Sequence, residues 1–105
     1  MGRRLQLHQI LNDIVVATNP KGKAYFQPPA DVKMIYPCIV YSRDYVASEF
    51  ANDALYHNTK RYAVTIIDED PDSDIPDKVA ALPMCNFVRF FTKDKLNHDI
   101  YKLYF

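Results

Sequence analysis

Four carboxylates at alternate positions, Asp68, Asp70, Asp72 and Asp74, form the spacing in this chain that most invites chemistry. Positions one, three, five and seven of a calcium-binding loop carry oxygen ligands, and these aspartates fall on that pattern. The match then breaks. The sixth position, which needs Gly for a sharp turn, is Ser73; the twelfth, which needs a bidentate Glu, is Val79; and Pro71 stiffens the middle. Carboxylates ahead of a helix also have a plainer use, accepting backbone N–H bonds and favouring the positive helix end. That reading accounts for more of these residues, and no metal or other cofactor is expected.

A metal-dependent nuclease is the second chemical reading. It needs carboxylates at a strand end and a Lys or Glu on the neighbouring strand, to hold an ion and polarise water. Asp68 does follow a strand-like run, yet acidic residues after strands are ordinary turn formers. The 13 basic side chains are cancelled by 13 acidic ones, which leaves no basic field for nucleic acid. His8, His57 and His98 are scattered without ligand spacing. The serines lack a nucleophile-elbow context, and only 2 Gly leave no phosphate-cradling loop. Cys38 and Cys85, far apart in strand-like contexts, read as small buried hydrophobes. No catalytic, cofactor-binding or metal-binding residue is assigned, and the chain is not read as an enzyme.

The elements that position these residues follow from periodicity. The run Lys60-Arg61-Tyr62-Ala63-Val64-Thr65-Ile66-Ile67 is β-branched and aromatic without Gly or Pro, which predicts a central strand. After the acidic turn, Asp74 is the expected N-cap, Pro76 sits in the first turn, Asp77 stands at capping-box distance, and a short helix ends before Pro83. Upstream, Leu7, Ile10, Leu11, Ile14 and Val15 recur at helical steps, with Gln9, Asn12 and Asp13 on the other side, predicting an amphipathic helix over residues 3–17. Pro20 and Gly22 stop it. Short strands are expected at Ala24-Tyr25-Phe26-Gln27 and at Cys38-Ile39-Val40-Tyr41-Ser42, while the stretch from Ala30 to Met34 has no clear pattern.

Residues 43–58 admit two conformations, a long hairpin arm returning into the central strand or a short helix over residues 48–55, and the arm is favoured. Two strands close the chain. The first, from Met84, sets Cys85, Phe87, Arg89 and Phe91 opposite Asn86, Val88 and Phe90; the second alternates Ile100, Lys102 and Tyr104 against Tyr101, Leu103 and Phe105, with residues 93–97 as a polar connection. Strands without strict helix alternation predict one α+β domain over residues 1–105, an antiparallel or mixed sheet with both helices on one face. A hydrophobic fraction of 49% excludes a disordered chain. No apolar run reaches the roughly 20 residues of a membrane span, and Met1-Gly2-Arg3-Arg4-Leu5 lacks a signal-peptide core, so a reducing cytoplasm is expected. The 8 Tyr and 6 Phe exceed what one small core needs, which points to an exposed aromatic face.

The segment from Lys60 to Asp68, with Asp70-Pro71-Asp72-Ser73, Ile75-Pro76-Asp77-Lys78-Val79, Leu82-Pro83-Met84-Cys85, Leu96-Asn97-His98-Asp99 and Leu103-Tyr104-Phe105, resembles the small tail-terminator or tail-completion proteins of long-tailed bacteriophages. Phe26-Gln27-Pro28-Pro29 and Tyr36-Pro37-Cys38-Ile39-Val40-Tyr41 look like the same group. The resemblance implies a structural virion protein of the tail or neck, assembled in the host cytoplasm. Such a subunit closes into a ring, commonly a hexamer, on the head-proximal end of the tail tube, stops its polymerisation and offers the surface for head–tail joining. It implies as partners further copies of the chain, the tail tube protein and head–tail connector proteins, with no membrane and no sequence-specific nucleic acid, and it brings no catalytic residues. Head-closure and adaptor subunits of the neck are the neighbouring alternative; a small regulatory binding module is a further one. The segments least committed to the core are expected to make the contacts to neighbours: Arg43, Asp44, Tyr45, Phe50 and Tyr56 on the arm, and Asp68, Asp70 and Asp72 in the acidic turn.

Overall fold

The computed structural model describes residues 3–29, 33–51 and 54–105, with the backbone alone at residue 3 and over residues 46–51 and 54–59. Its elements run α1 (Arg3–Thr18), β1 (Lys23–Phe26), β2 (Cys38–Ala51), β3 (Ala54–Asp68), α2 (Ile75–Ala80), β4 (Cys85–Lys93) and β5 (Leu96–Tyr104). The five strands form one mixed sheet in the order β1-β2-β3-β5-β4, so the β-branched run of residues 60–67 does lie in the central strand. Only the β1–β2 pair is parallel. The fold is α+β.

One face of the sheet makes the core. Register aligns Ala24 with Ile39, Ile39 with Ile66, Tyr41 with Val64, Val64 with Tyr101 and Tyr62 with Leu103, so these side chains share a face. All are buried, and Leu7, Leu11 and Val15 of α1 with Ile75 and Val79 of α2 close over them. Leu7, Leu11 and Val15 follow at four-residue steps and form the one row of α1 that is fully buried; Ile10 and Ile14 flank it half-buried. Asn12, expected on the solvent side, instead accepts a hydrogen bond from the Ala24 amide at 3.0 Å and so ties the helix to the edge strand.

Tyr41 anchors the start of α1. Its ring lies 5.0 Å from Phe26 and meets Tyr62 edge-on at 6.1 Å, and its hydroxyl is 2.7 Å from His8 Nδ1. The Arg4 guanidinium covers Phe26 at 4.4 Å. Burial, and then the Arg4 charge, lower the His8 pKa below its ordinary value near 6.5. The unfolded chain therefore takes up the proton first as the pH falls. This contribution to stability is complete above about pH 6.5 and is lost below it, down to the folded-state pKa. The thermal midpoint should accordingly fall between pH 7 and pH 5, and His8→Gln should flatten that slope; an unchanged slope would show that His8 is not its source.

Three bulges and one turn depart from the simple strand pattern; one of the bulges lies within the β2–β3 pair, where Glu49 faces His57 and Phe50 faces Leu55. Arg43 pairs with Tyr62 and Tyr45 with Arg61, which leaves Asp44 as the extra residue of a bulge. Phe87 pairs with Tyr101 and Arg89 with Ile100, so Val88 is extra in β4. The Val88 bulge overturns the expected alternation of that strand: Phe90, opposite Asp99, joins Phe87 on the helix-bearing face, while Arg89 and Phe91 turn to the other. The polar connection expected over residues 93–97 is a two-residue hairpin turn, because Asp94 and Lys95 take φ of 52° and 65° and β5 begins at Leu96.

Candidate interaction surface

β2 and β3 outrun their neighbours. β1 pairs with β2 only as far as Tyr41, and β5 pairs with β3 only as far as Arg61, whereas β2 and β3 stay paired out to Ala51 and Ala54. Residues 45–51 and 54–60 thus form a two-stranded ribbon about 23 Å long at the usual strand rise, and the molecule measures 52 × 26 × 26 Å. The hairpin arm, and not the short helix over residues 48–55, is the conformation adopted.

At the base of this ribbon the Asp44 bulge re-aims a carboxylate across the sheet. Asp44 Oδ1 accepts from Arg61 Nε at 3.0 Å, and Oδ2 accepts from Lys102 Nζ. Partial burial opposes ionisation of Asp44, but the hydrogen bonds from Lys102 and Arg61 outweigh it and hold the carboxyl below its usual range. The same guanidinium covers the half-exposed Tyr45 ring at 5.0 Å. Of the arm residues expected at an interface, Asp44 and Tyr45 therefore meet around Arg61; Arg43 is exposed beside them, its amide donating to Gln27 Oε1 at 3.3 Å. The side chains of Phe50 and Tyr56 lie outside the described residues.

The acidic turn stands at the far end of β3. Asp68 Oδ1 accepts from the Asp70 amide and Asp70 Oδ1 from the Asp72 amide, each at 2.9 Å, forming two successive Asx turns. Asn97 Nδ2 donates to the Asp68 carbonyl at 3.2 Å and pins the turn to β5. The expected capping by Asp74 does not occur. Asp74 occupies the N-cap position with φ −82° and ψ −11°, already helical, and its side chain makes no cap bond. Capping requires an extended residue whose side chain can fold back on the first amides, and Pro76 removes one of those donors. Ser73 Oγ serves the Ile75 amide instead, at 3.2 Å. Among the described residues no group of three or more His, Cys, Asp or Glu is arranged to hold a metal ion.

Three further surfaces have chemical character. An apolar cleft of about 350 Å³ lies between α1 and the C-terminal strand, lined by Leu7, Ile10, Leu82, Pro83, Met84 and Leu103 among others. A shallower one of about 390 Å³ sits between the α2 start and β4, where Asp77, Asp99 and Phe90 meet; burial, and then Asp77, raise the Asp99 pKa. The third is the outer strand β4, where Phe87 and Phe90 are 57% and 53% exposed. Phe87 rests edge-on against Tyr101 at 5.5 Å, and Phe91 stacks on His98 at 4.5 Å on the opposite face. Cys38 is fully buried and Cys85 half-buried; burial, and then Asp68, push the Cys38 thiol up to about 12, so it is no nucleophile at neutral pH.

Arg61 and Lys102 escaped the sequence reading because they reach Asp44 across 17 and 58 residues of chain. Among the described residues no helix is long and apolar enough to cross a membrane. No protein-family model matches the chain, and no curated protein does.

Proposed function

We propose that this chain is a ring-forming structural subunit of the bacteriophage neck, a tail terminator that caps the head-proximal end of the tail tube. The observation that carries the reading is the projecting β2–β3 ribbon. A two-stranded ribbon is marginal alone in water, so 23 Å of it beyond the core, roughly, makes sense as an arm laid on another surface. Two more features support it. The ribbon and the acidic turn lie towards opposite ends of β3, two different patches of the kind a head-to-tail contact repeated around a closed rotation uses. The formal net charge of +0 sets no repulsion against self-association.

On this reading the ring binds further copies of the chain, the tube protein below and connector proteins above, and its place is the virion neck. The head-closure or adaptor role differs in binding the connector without capping tubes. Light scattering of the chain alone and with tail tubes separates the two. The expected result is a defined oligomer that binds tube ends and halts their growth. A chain that stays monomeric beside tubes, or that cleaves DNA with a divalent cation, would overturn the proposal. A variant in which residues 46–59 are replaced by Asn-Gly should lose only the ribbon's share of strand signal in circular dichroism and melt cooperatively, yet lose assembly entirely.

A further inference from the structure

The two edges of the sheet are unlike. β1 is four residues long and is bracketed by Pro20 on one side and Pro28-Pro29 on the other, which keeps a further strand from adding there. β4 is nine residues long, contains no Pro, and carries Phe87, Val88 and Phe90 at 57%, 47% and 53% exposure. From Arg89 to Lys93 its ladder with β5 is regular, so its outer edge over the same residues presents an ordered row of backbone donors and acceptors. Long edges without Pro are templates for strand addition, and past the Val88 bulge Arg89 and Lys93 give this one a charge that an added strand must match.

We infer that the outer edge of β4 receives the β2–β3 ribbon of the next copy as an added strand. This rests on the ring reading above and supplies the contact that would close the ring. The ribbon has the matching feature: among the described residues, β2 is paired beyond Tyr41 by β3 alone, and no strand of its own chain pairs its other edge there. The charges are complementary as well. Residues 45–59 carry Glu49 and Asp53 and neither Lys nor Arg, a net charge of −2 with His57 neutral, whereas residues 85–95 carry Arg89, Lys93 and Lys95 against Asp94, a net charge of +2. Because ribbon and edge are different patches of one subunit, the contact runs head to tail and a second copy completes it, with Phe87 and Phe90 as its apolar flank.

The test is a charge swap read by sedimentation. Arg89→Glu with Lys93→Glu leaves exposed positions folded and should weaken association at least tenfold; adding Glu49→Lys and Asp53→Lys to the same chain should restore it. Wild-type association of the double variant, or a combined variant as weak as the double, overturns the inference. A second measurement locates the contact. In a Cys85→Ser background, chains with Val88→Cys mixed with chains with Ser48→Cys should cross-link through a short bis-maleimide as mixed pairs; Val88→Cys pairs alone would show two β4 edges meeting and would overturn it. Tube capping separates the two readings: an oligomer that caps tubes but ignores the swap sinks this contact alone, and a swap-sensitive oligomer that leaves tube ends bare sinks the functional proposal alone.

Discussion

Replacing Gly22 by Ala should destabilise the fold by about 3 kcal/mol, the upper part of the range for forcing atoms into a filled site. Gly22 is buried where α1 hands over to β1, and its amide donates to the Asn19 carbonyl at 2.9 Å. A Cβ at this position would lie 2.3 Å from Val15 Cγ1 and 2.6 Å from the Pro37 carbonyl oxygen. Backbone freedom is not the reason for the glycine, since Gly22 does not have positive φ; close approach is. The Val15 methyl belongs to the buried row of α1 and has little room to swing aside, and the Pro37 oxygen is backbone that moves only with the start of β2. Relief therefore requires α1 to lift from the sheet. Chemical denaturation should show the loss with an unchanged m-value. Val15→Ala in the same chain removes one of the two clashes, so the double variant should lose less than the sum of the singles. A Gly22→Ala loss below about 1 kcal/mol would mean that helix and loop stand further apart than this packing.

The parts of this fold legible in the sequence are those set by local periodicity. Leu7, Leu11 and Val15 announce the buried row of α1, the run from Tyr62 to Ile67 announces the central strand, and the alternation of Tyr101 and Leu103 with Lys102 announces the buried face of β5. What escaped is where a single residue breaks the period. The extra residues Asp44 and Val88 leave no mark in composition, because a bulge is set by pairing with a distant strand; each nonetheless flips every side chain beyond it. Asp94-Lys95 turns the last hairpin at positive φ without the Gly that signals such turns. The parallel seat of β1 depends on how the chain between Phe26 and Cys38 crosses, which no pattern in it reveals. Of the expected interface residues, sequence sorted Asp44 and Tyr45 into the arm correctly, but the cluster they form needs Arg61 and Lys102, which folding alone brings to them.

Truncating Ile66 to Ala should cost about 3 kcal/mol, within the 2–5 typical of a buried aliphatic. Ile66 is fully buried in the central strand, paired with Ile39 on one side and Asp99 on the other. The helices that cover this face hold their positions against several strands at once, so the space left by the lost carbons does not close, and the cavity cost adds to the transfer cost. Ile66→Val, which removes one carbon, should cost about 1 kcal/mol, and Val88→Thr on the exposed edge should stay within about 0.5 kcal/mol. Melts should be run at a protein concentration below assembly, because association adds its own stabilisation. The series also checks the register of the sheet. Because Ile67 is buried as well, the register is read at Val64: a slip of one residue in β3 would move Val64 to the half-buried face of Ala63 and Thr65, and the cost of Val64→Ala would fall. Large losses at both Ile66 and Val64 therefore support the burial and the pairing that places the Asp44 bulge beside Arg61.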